Sequence, residues 1–484
     1  MPLSRRDFLR VAGAGAAGAA AIGAGGCSFG IGGNDSDKPN ILLVIADTLR
    51  ADHVGTFGGA VHTPNIDRLA ADGVRFTRVY PEAMVTVPAR RSIYTGRRIF
   101  PFRDYAPRPD LGTSPGWEPI TDVRHTLVSA LNDAGYWTAQ VTDNPWTGFT
   151  KSYRPFRLSF DRFISVEGYV GFRRPPSTIS ERELLHWLPR GLRTDRYLKG
   201  VRKFLANTGA GHDERQSCTA RVFETAINVL NEAQTKRPFA MMVDCYEPHE
   251  PWVPERKYVE MYGDPDYHGP EPSVPKYARA DYLRPDVLHR MKVVYSAAVT
   301  RMDHWFGMFL ERFHELGLDE NTIVLFLGDH GILLGERGWT GKIPPVLHPE
   351  MVHVPFFVNR PDGKLRGTDD EYYASTHDVA PTLLGMAGLN PAPWMEGVDL
   401  SPIFDGRRPP ARDMAYGGYY NRHYIRTPEW VYMADNRVEE QKLFDLVLDP
   451  EESIDVAAEH PDVLKEMNER LLAQIGGKPA PYYD

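Results

Sequence analysis

Cysteine is scarce in this chain, which has only Cys27, Cys218 and Cys245 among its 484 residues. Domains built on disulfides need several cysteine pairs, so this count excludes a disulfide framework. Cys245 lies inside an apolar run, and we predict a buried thiol there rather than a nucleophile.

A long basic run is also absent, and the formal net charge is −8. This balance gives no support for nucleic-acid binding or for general attraction to anionic membranes, and we expect no nucleic-acid partner. The composition, 42% hydrophobic and 25% charged, is typical of a globular protein. A length of 484 residues predicts one large domain with a smaller appendage.

The N-terminal segment lacks the large apolar residues of a good membrane helix, which is the disfavoured alternative here. Residues 1–27 resemble a twin-arginine export signal, with two arginines followed by an Ala/Gly-rich stretch, and predict a periplasmic or extracellular protein. Cys27 loosely resembles a lipoprotein cleavage site without the usual large aliphatic residue before it. Membrane attachment through a lipid on Cys27 and plain cleavage are both open. Residues 28–38 predict a flexible tether.

Four apolar runs each end on polar residues that can bind a metal or a phosphate. Short runs rich in Val and Ile are typical of buried strands. Ligands of open α/β sheets bind beyond the carboxyl ends of the strands, so these ends predict one active-site rim. The runs are Asn40–Asp47, Thr138–Asn144, Phe239–His249 and Thr322–His330.

Strand and helix patterns alternate over residues 39–400 and predict an α/β domain whose largely parallel sheet is covered by helices on both faces. After residue 400 the pattern changes to short strand-like runs and a terminal helix, which predicts a small α+β subdomain over 401–484. The segments predicted to be helical are 66–73, 125–135, 287–316 and 461–475.

Two of these strand ends carry residues suited to one cation. Asp47 ends an apolar strand, where a lone carboxylate is poorly solvated unless it is paired or bound to a metal. Asp329 and His330 end another such strand, and Gly331 permits a sharp turn after them. A strand-ending Asp that caps a helix is the ordinary alternative for Asp47.

The segment from Thr86 to Arg97 predicts an anion site at a helix N-terminus. Pro88 suits a first helical turn, Thr86 then lies where the helix stabilises a bound anion, and Arg90 returns to the same place. A plain N-cap by Thr86 is the alternative.

Together these motifs resemble the sulfatase family of the alkaline phosphatase superfamily, and their order along the chain matches that family. The resemblance covers residues 39–470. The matching segments are 39–52, 63–69, 86–97, 247–251, 329–336, Lys342, 378–384 and 443–450.

The resemblance implies a divalent ion held by Asp47, Asp329 and His330. With Thr86 added, this set of residues would suit one Ca, Mg, Mn or Zn ion. It also implies three further catalytic groups: Arg90 and Lys342 would grip the anionic ester, and His249 would protonate the leaving oxygen. A second ion on Glu247, His249 and His377 is an alternative.

Three departures from the family pattern matter. Thr86 stands where sulfatases carry the Cys or Ser that becomes formylglycine, so no formylglycine is expected; either Thr86 attacks directly or sulfatase turnover is lost. Thr48 replaces a second metal-binding Asp. Asp143 and Asn144 replace a Lys and a His, and Asn144 would either donate a hydrogen bond to substrate or only end a strand before Pro145.

We therefore expect an exported, metal-dependent sulfatase-family hydrolase that acts on a small-molecule or glycan ester through Thr86. A phosphodiesterase, a phosphonate monoester hydrolase or a phosphoryl transferase of the same superfamily is the alternative, because a Thr nucleophile favours phosphorus. A degenerate sulfatase that binds sulfated or phosphorylated glycans without turnover is the second alternative.

Overall fold

The strand pattern predicted from the sequence is present in a computed structural model that describes residues 38–112, 114–263 and 265–484. The predicted export signal, the processing site at Cys27 and all of the predicted tether except Lys38 lie outside these ranges. The described strands are β1 (Asn40–Ala46), β2 (Val74–Val79), β3 (Trp137–Thr142), β4 (Arg162–Ser165), β5 (Phe239–Cys245), β6 (Ala278–Arg279), β7 (Thr322–Gly328), β8 (Leu333–Leu334), β9 (Trp339–Gly341), β10 (Phe356–Asn359), β11 (Thr368–Ala374), β12 (Ala415–Tyr419), β13 (Arg422–Arg426), β14 (Trp430–Asp435) and β15 (Lys442–Asp445).

The α-helices of the described ranges agree with all four predicted helical segments to within two residues at each end. They are α1 (Pro64–Ala71), α2 (Thr86–Thr95), α3 (Leu127–Asp133), α4 (Pro145–Phe149), α5 (Arg154–Arg157), α6 (Glu181–His186), α7 (Asp195–Thr208), α8 (Cys218–Ala233), α9 (Arg256–Val259), α10 (Pro285–Glu315), α11 (Pro349–Val352), α12 (Val379–Met386) and α13 (Pro461–Gln474). None of the helices in these ranges combines the length and apolar character that crossing a membrane requires.

The main sheet has eight strands in the order β11-β2-β10-β7-β1-β5-β3-β4. Every neighbouring pair is parallel except the two that involve β10, which runs antiparallel to β2 and β7. The prediction of a largely parallel sheet is therefore confirmed. The registers place Ala46 opposite Cys245 on one side and Gly328 on the other, so the carboxyl ends of β1, β5 and β7 are level.

Two apolar cores cover the faces of this sheet, because side chains of a strand alternate between its sides. Along β1, Leu42 and Val44 lie in the core that includes α8 and α10, whereas Leu43 and Ile45 lie in the core that includes α2, α3 and α12. Helices therefore cover both faces, as predicted. Cys218 and Cys245 are buried free thiols.

The C-terminal part forms a separate four-stranded antiparallel sheet, β12-β13-β14-β15. Helix α13 packs on it through Met467 and Leu471, which share a core with Tyr432 and Leu443. The predicted small α+β subdomain is confirmed. The contacts group Lys38–Asp484 into one compact unit that includes this sheet.

Candidate functional site

Three predicted metal ligands converge at the level ends of β1 and β7. Asp47 follows β1, and Asp329 and His330 follow β7. The Nε2 of His330 lies 3.4 Å from Oδ2 of Asp329 and 3.7 Å from Oδ1 of Asp47, and the three ligand atoms lie within 4.8 Å of one another. All three side chains are fully buried. This is the one group of three metal-binding side chains found among the described residues.

The orientation of His330 suits a metal ligand. Its Nδ1–H donates to the carbonyl of Gly331 at 2.9 Å, which leaves the lone pair of Nε2 facing the two carboxylates. Burial lowers the pKa of His330 to about 4 and raises the pKa of Asp47 and of Asp329. Oδ2 of Asp47 has no hydrogen-bond partner. Two buried carboxylates and a neutral imidazole therefore fit a divalent cation such as Mn or Zn.

Thr48 supports these ligands from the position where the family pattern has an Asp. Its hydroxyl donates to Oδ1 of Asp47 at 2.7 Å, and its backbone N–H donates to Oδ1 of Asp329 at 2.8 Å. Thr48 has φ of 66°, an uncommon conformation for a β-branched residue, which often occurs at functional sites. The Thr48 hydroxyl thus orients Asp47, whereas an Asp at this position would have added a negative charge.

The predicted nucleophile lies beside this cluster. Thr86 is the first residue of α2, and its Oγ1 is 3.4 Å from Nε2 of His330. The N-cap of α2 is Val85, with no side-chain hydrogen bond to the helix. The alternative in which Thr86 serves as an ordinary N-cap is therefore wrong, because its hydroxyl faces His330.

Arg90 lies one helical turn after Thr86 and is fully buried among three carboxylates. Its Nη1 contacts Asp329 and lies 3.2 Å from Oδ2 of Asp47, and its Nη2 donates to Asp244 at 2.5 Å. Nε has no hydrogen-bond partner. Arg90 thus orients the three carboxylates, and its Nε is a donor without a partner that could meet the predicted ester. Asp244 was missed by sequence reasoning, although a carboxylate inside the apolar run of β5 was its signal.

His249 lies beside the cluster as a neutral imidazole. Its ring stacks on Tyr246 with centroids 4.1 Å apart, and its Nδ1–H donates to the carbonyl of Glu250 at 2.7 Å. Burial lowers the pKa of His249 to about 4. At neutral pH its Nε2 therefore has a free lone pair, so His249 can accept a proton before it donates one.

Lys342 is held by two residues that sequence reasoning did not assign. Its Nζ lies 3.0 Å from Oε2 of Glu250 and 3.0 Å from the hydroxyl oxygen of Tyr277. Tyr277 in turn donates to Oε1 of Glu250 at 2.5 Å. Glu250 follows His249 in a motif that the resemblance includes, and this was the available signal. Tyr277 comes from a Pro- and Gly-rich loop that gave no signal of its own.

Comparisons with known proteins identify the family of the chain. The family profile described as Sulfatase matches residues 39–389. The chain belongs to the sulfatase family. A second profile, N-sulphoglucosamine sulphohydrolase, C-terminal, matches residues 335–476 of this sulfatase.

Relatives and solved structures span nearly the whole chain of this sulfatase. An arylsulfatase of Clostridium perfringens is 27% identical over 92% of this chain and 96% of its own. The phosphonate monoester hydrolase of Agrobacterium radiobacter is similar in structure, with a TM-score of 0.68 and 22% identity over 90% of this chain and 95% of that chain. A structure in complex with its substrate D-glucosamine-2-N,6-O-disulfate has a TM-score of 0.67 and 19% identity, with 90% and 97% covered.

Asn144 of this sulfatase caps α4. Its Oδ1 accepts from the backbone N–H groups of Trp146 and Thr147 at 2.9 and 3.2 Å, whereas its buried Nδ2 has no partner. The adjacent Asp143 accepts from the N–H of Tyr246 at 2.8 Å, and burial raises its pKa to about 8. The helix cap uses Oδ1 of Asn144, and substrate binding by its Nδ2 stays a prediction.

The alternative second metal site is not assembled. Glu247 forms a buried ion pair with Arg301, which also lies 3.3 Å from Glu255. Glu247, His249 and His377 do not form a group with metal-ligand spacing in the part of the chain that the structure describes. A divalent ion here would have to displace Arg301, so one metal is the number that the described residues support.

Proposed function

We propose that this sulfatase-family hydrolase depends on a divalent metal ion, uses Thr86 as its nucleophile and hydrolyses a sulfate ester. The observation that carries the proposal is the place of Thr86 Oγ1, 3.4 Å from Nε2 of His330 at the start of α2. The hydroxyl thus lies against His330, whose Nε2 faces the two buried carboxylates, and these three side chains are ligands that suit a divalent cation. A helix N-terminus also favours the anionic part of an ester at this point.

An ion held by Asp47, Asp329 and His330 would supply positive charge that eases deprotonation of Thr86 and polarises the ester. Thr86 Oγ1 forms a bond to sulfur while the bond from sulfur to the leaving oxygen breaks. Neutral His249 takes the proton that Thr86 loses and returns it to the leaving oxygen. Lys342 and Nε of Arg90 are the cationic donors available to the sulfate oxygens.

The second half of the reaction releases the covalent Thr86 sulfate ester. A water oxygen bonds to sulfur, the bond from sulfur to Thr86 Oγ1 breaks, and one water proton returns to Thr86. The product is hydrogen sulfate, which gives its proton to solvent. His249 is again the neutral imidazole able to carry a proton between water and Thr86.

A phosphonate monoester or a phosphodiester is the second candidate substrate. A Thr hydroxyl has no oxidation product equivalent to formylglycine, so its covalent ester leaves only by attack of water or of another acceptor. A phosphoryl group bound to a Thr hydroxyl can be released in this way. Release to an alcohol instead of water would make the enzyme a transferase. The fold shared with a phosphonate monoester hydrolase supports this candidate. The binding-protein alternative is disfavoured, because the three metal ligands are assembled.

The test compares matched aryl sulfate, phosphonate monoester and phosphodiester substrates with the metal-loaded protein and its Thr86→Ala variant. We expect sulfate ester turnover that falls on the order of 1000-fold or more in Thr86→Ala. Thr95→Ala is the control, since the Thr95 hydroxyl at the other end of α2 donates to the carbonyl of Arg91. Full activity of Thr86→Ala would overturn the nucleophile assignment. Faster phosphonate or phosphodiester turnover would favour the second candidate, and no turnover would favour the binding protein.

A further inference from the structure

Glu250 neutralises the cation that the site offers to an anionic substrate. Its Oε2 lies 3.0 Å from Nζ of Lys342, and its Oε1 accepts from the hydroxyl of Tyr277 at 2.5 Å. The side chains of Glu250 and Lys342 are 11% and 1% exposed, so water screens the pair little. The same Oε2 is 3.5 Å from Nδ1 of His249, which places the carboxylate beside the proposed leaving-group proton carrier.

The ionised state of Glu250 is secured by its surroundings. Burial opposes ionisation, but His249, Lys342 and the hydroxyl of Tyr277 outweigh it and lower the pKa of Glu250 to about 2. Glu250 is therefore negatively charged at neutral pH. Lys342 offers its charge to a substrate only in competition with this carboxylate.

The charges around the site are closely balanced. Arg90 faces Asp47, Asp244 and Asp329, and Lys342 faces Glu250, so four carboxylates surround two cationic side chains. A divalent ion would bring the net charge of these side chains to zero. Loss of the Glu250 carboxylate makes the net charge more positive by one, whatever ion is present. A balanced site accepts one negative charge more readily than two, because the second charge meets no matching cation.

We infer that Glu250 is a specificity-determining residue that selects singly charged esters, such as sulfate monoesters, phosphonate monoesters and phosphodiesters, over dianionic phosphate monoesters. This inference rests on the proposed function, since it assigns the charge of the ester that the same site accepts. Glu250 selects through Lys342: the carboxylate cancels the ammonium charge that would otherwise hold the second negative charge of a phosphate monoester.

Tyr277 supplies a matched control within the same cluster. Its hydroxyl makes hydrogen bonds to both Glu250 and Lys342 but carries no charge. Tyr277→Phe therefore disturbs the positions of Glu250 and Lys342 without changing the formal charge. Glu250→Gln keeps the shape of the side chain and removes the charge, and Lys342→Met changes the charge in the opposite direction.

The experiment uses para-nitrophenyl phosphate as the dianion and bis(para-nitrophenyl) phosphate as the monoanion, which share one leaving group. We expect Glu250→Gln to raise the dianion-to-monoanion ratio of kcat/KM about 10-fold, which is the effect of one unit charge at partly screened close range. Tyr277→Phe should slow both substrates and change the ratio less than about 2-fold. Lys342→Met should lower the ratio, and it keeps the test decisive if Glu250→Gln fails to fold.

The same ratio is measured as binding affinity in the Thr86→Ala background, where no turnover is needed. Equal shifts of the ratio in Glu250→Gln and Tyr277→Phe, or no shift in either charge variant, would overturn the inference, because position rather than charge would then act. Failure of the proposed function is a different result: the starting protein would turn over no ester in a Thr86-dependent way, while the affinity ratio would still report on Glu250.

Discussion

Two groups of buried carboxylates in this molecule differ in how their charge is matched. At the ends of β1, β5 and β7, three carboxylates share the single guanidinium of Arg90, and oxygens of Asp47 and Asp244 lack hydrogen-bond partners. Before α12, Asp378 pairs with the guanidinium of Arg412, with contacts of 2.6 and 2.9 Å, and Nε2 of His377 lies 3.7 Å from its Oδ1. Its two oxygens also accept from the backbone N–H groups of Ser375 and Val398.

The difference separates a functional site from a structural ion pair. Burial raises the pKa of Asp47 and of Asp329, whereas the guanidinium of Arg412 outweighs burial and lowers the pKa of Asp378 to about 2. A buried pair with all its hydrogen bonds made is complete without a ligand, but an excess of buried carboxylate needs one. Substitutions that remove one carboxylate from each group should therefore have opposite consequences.

The largest expected effect is on turnover in Asp329→Asn. We expect a loss on the order of 1000-fold or more, because the variant lacks a metal ligand. The amide keeps the oxygen that accepts from the N–H groups of Thr48 and His330, so unfolding of the metal-free protein should change by only about 1 kcal/mol. Turnover assays check the loss of activity, and thermal unfolding with and without Mn checks the change in stability. Retained metal-dependent turnover would contradict the ligand assignment.

The next effect is on stability in Asp378→Asn. Loss of this carboxylate leaves Arg412 largely buried without its ion-pair partner, so we expect unfolding to become easier by about 3 to 5 kcal/mol. The folded fraction should keep its metal-dependent turnover. Urea unfolding measures the loss, with Asp405→Asn as the control, because Asp405 pairs with Arg360 at the surface. A loss no greater than that of the control would show that the pair is not structural.

The contrast between the two groups also explains what the sequence could predict. The strand ends that carry Asp47, Asp329 and His330 were predicted from apolar runs with polar ends, a local pattern that parallel pairing then brings together. Asp244 was missed because its role depends on Arg90, 154 positions earlier, on a helix across the sheet face. The antiparallel direction of β10 likewise has no local signal, since three of its four residues are apolar and fit either direction.

Residues in loops show the same limit. Tyr277 lies in a loop rich in Pro and Gly, and this loop carries its hydroxyl to Glu250 and Lys342. No spacing rule relates positions 250, 277 and 342, because only the tertiary fold brings them together. Sequence reasoning thus predicted the candidate ligands that the strand ends bring together and missed most of the residues that contact them.

The smallest expected effect concerns Asp143, whose buried Oδ2 has no hydrogen-bond partner. Burial raises its pKa to about 8, so the folded protein retains a proton that the unfolded chain releases near pH 4. The stability that this carboxyl contributes is therefore complete below pH of about 4 and is lost as the pH rises toward about 8. Asn at this position has no proton to lose and keeps the acceptor for the N–H of Tyr246.

The free energy of urea unfolding of Asp143→Asn, relative to that of the starting protein, should consequently rise by on the order of 1 to 2 kcal/mol between pH 5 and pH 6. Asp378→Asn is the reference, because the pKa of Asp378 is lowered to about 2 and its contribution is lost only as the pH falls below about 4. Its penalty should stay constant over the same interval. A constant gap for Asp143→Asn as well would mean that Asp143 is ionised in the folded protein and that a cation or metal must then lie beside it.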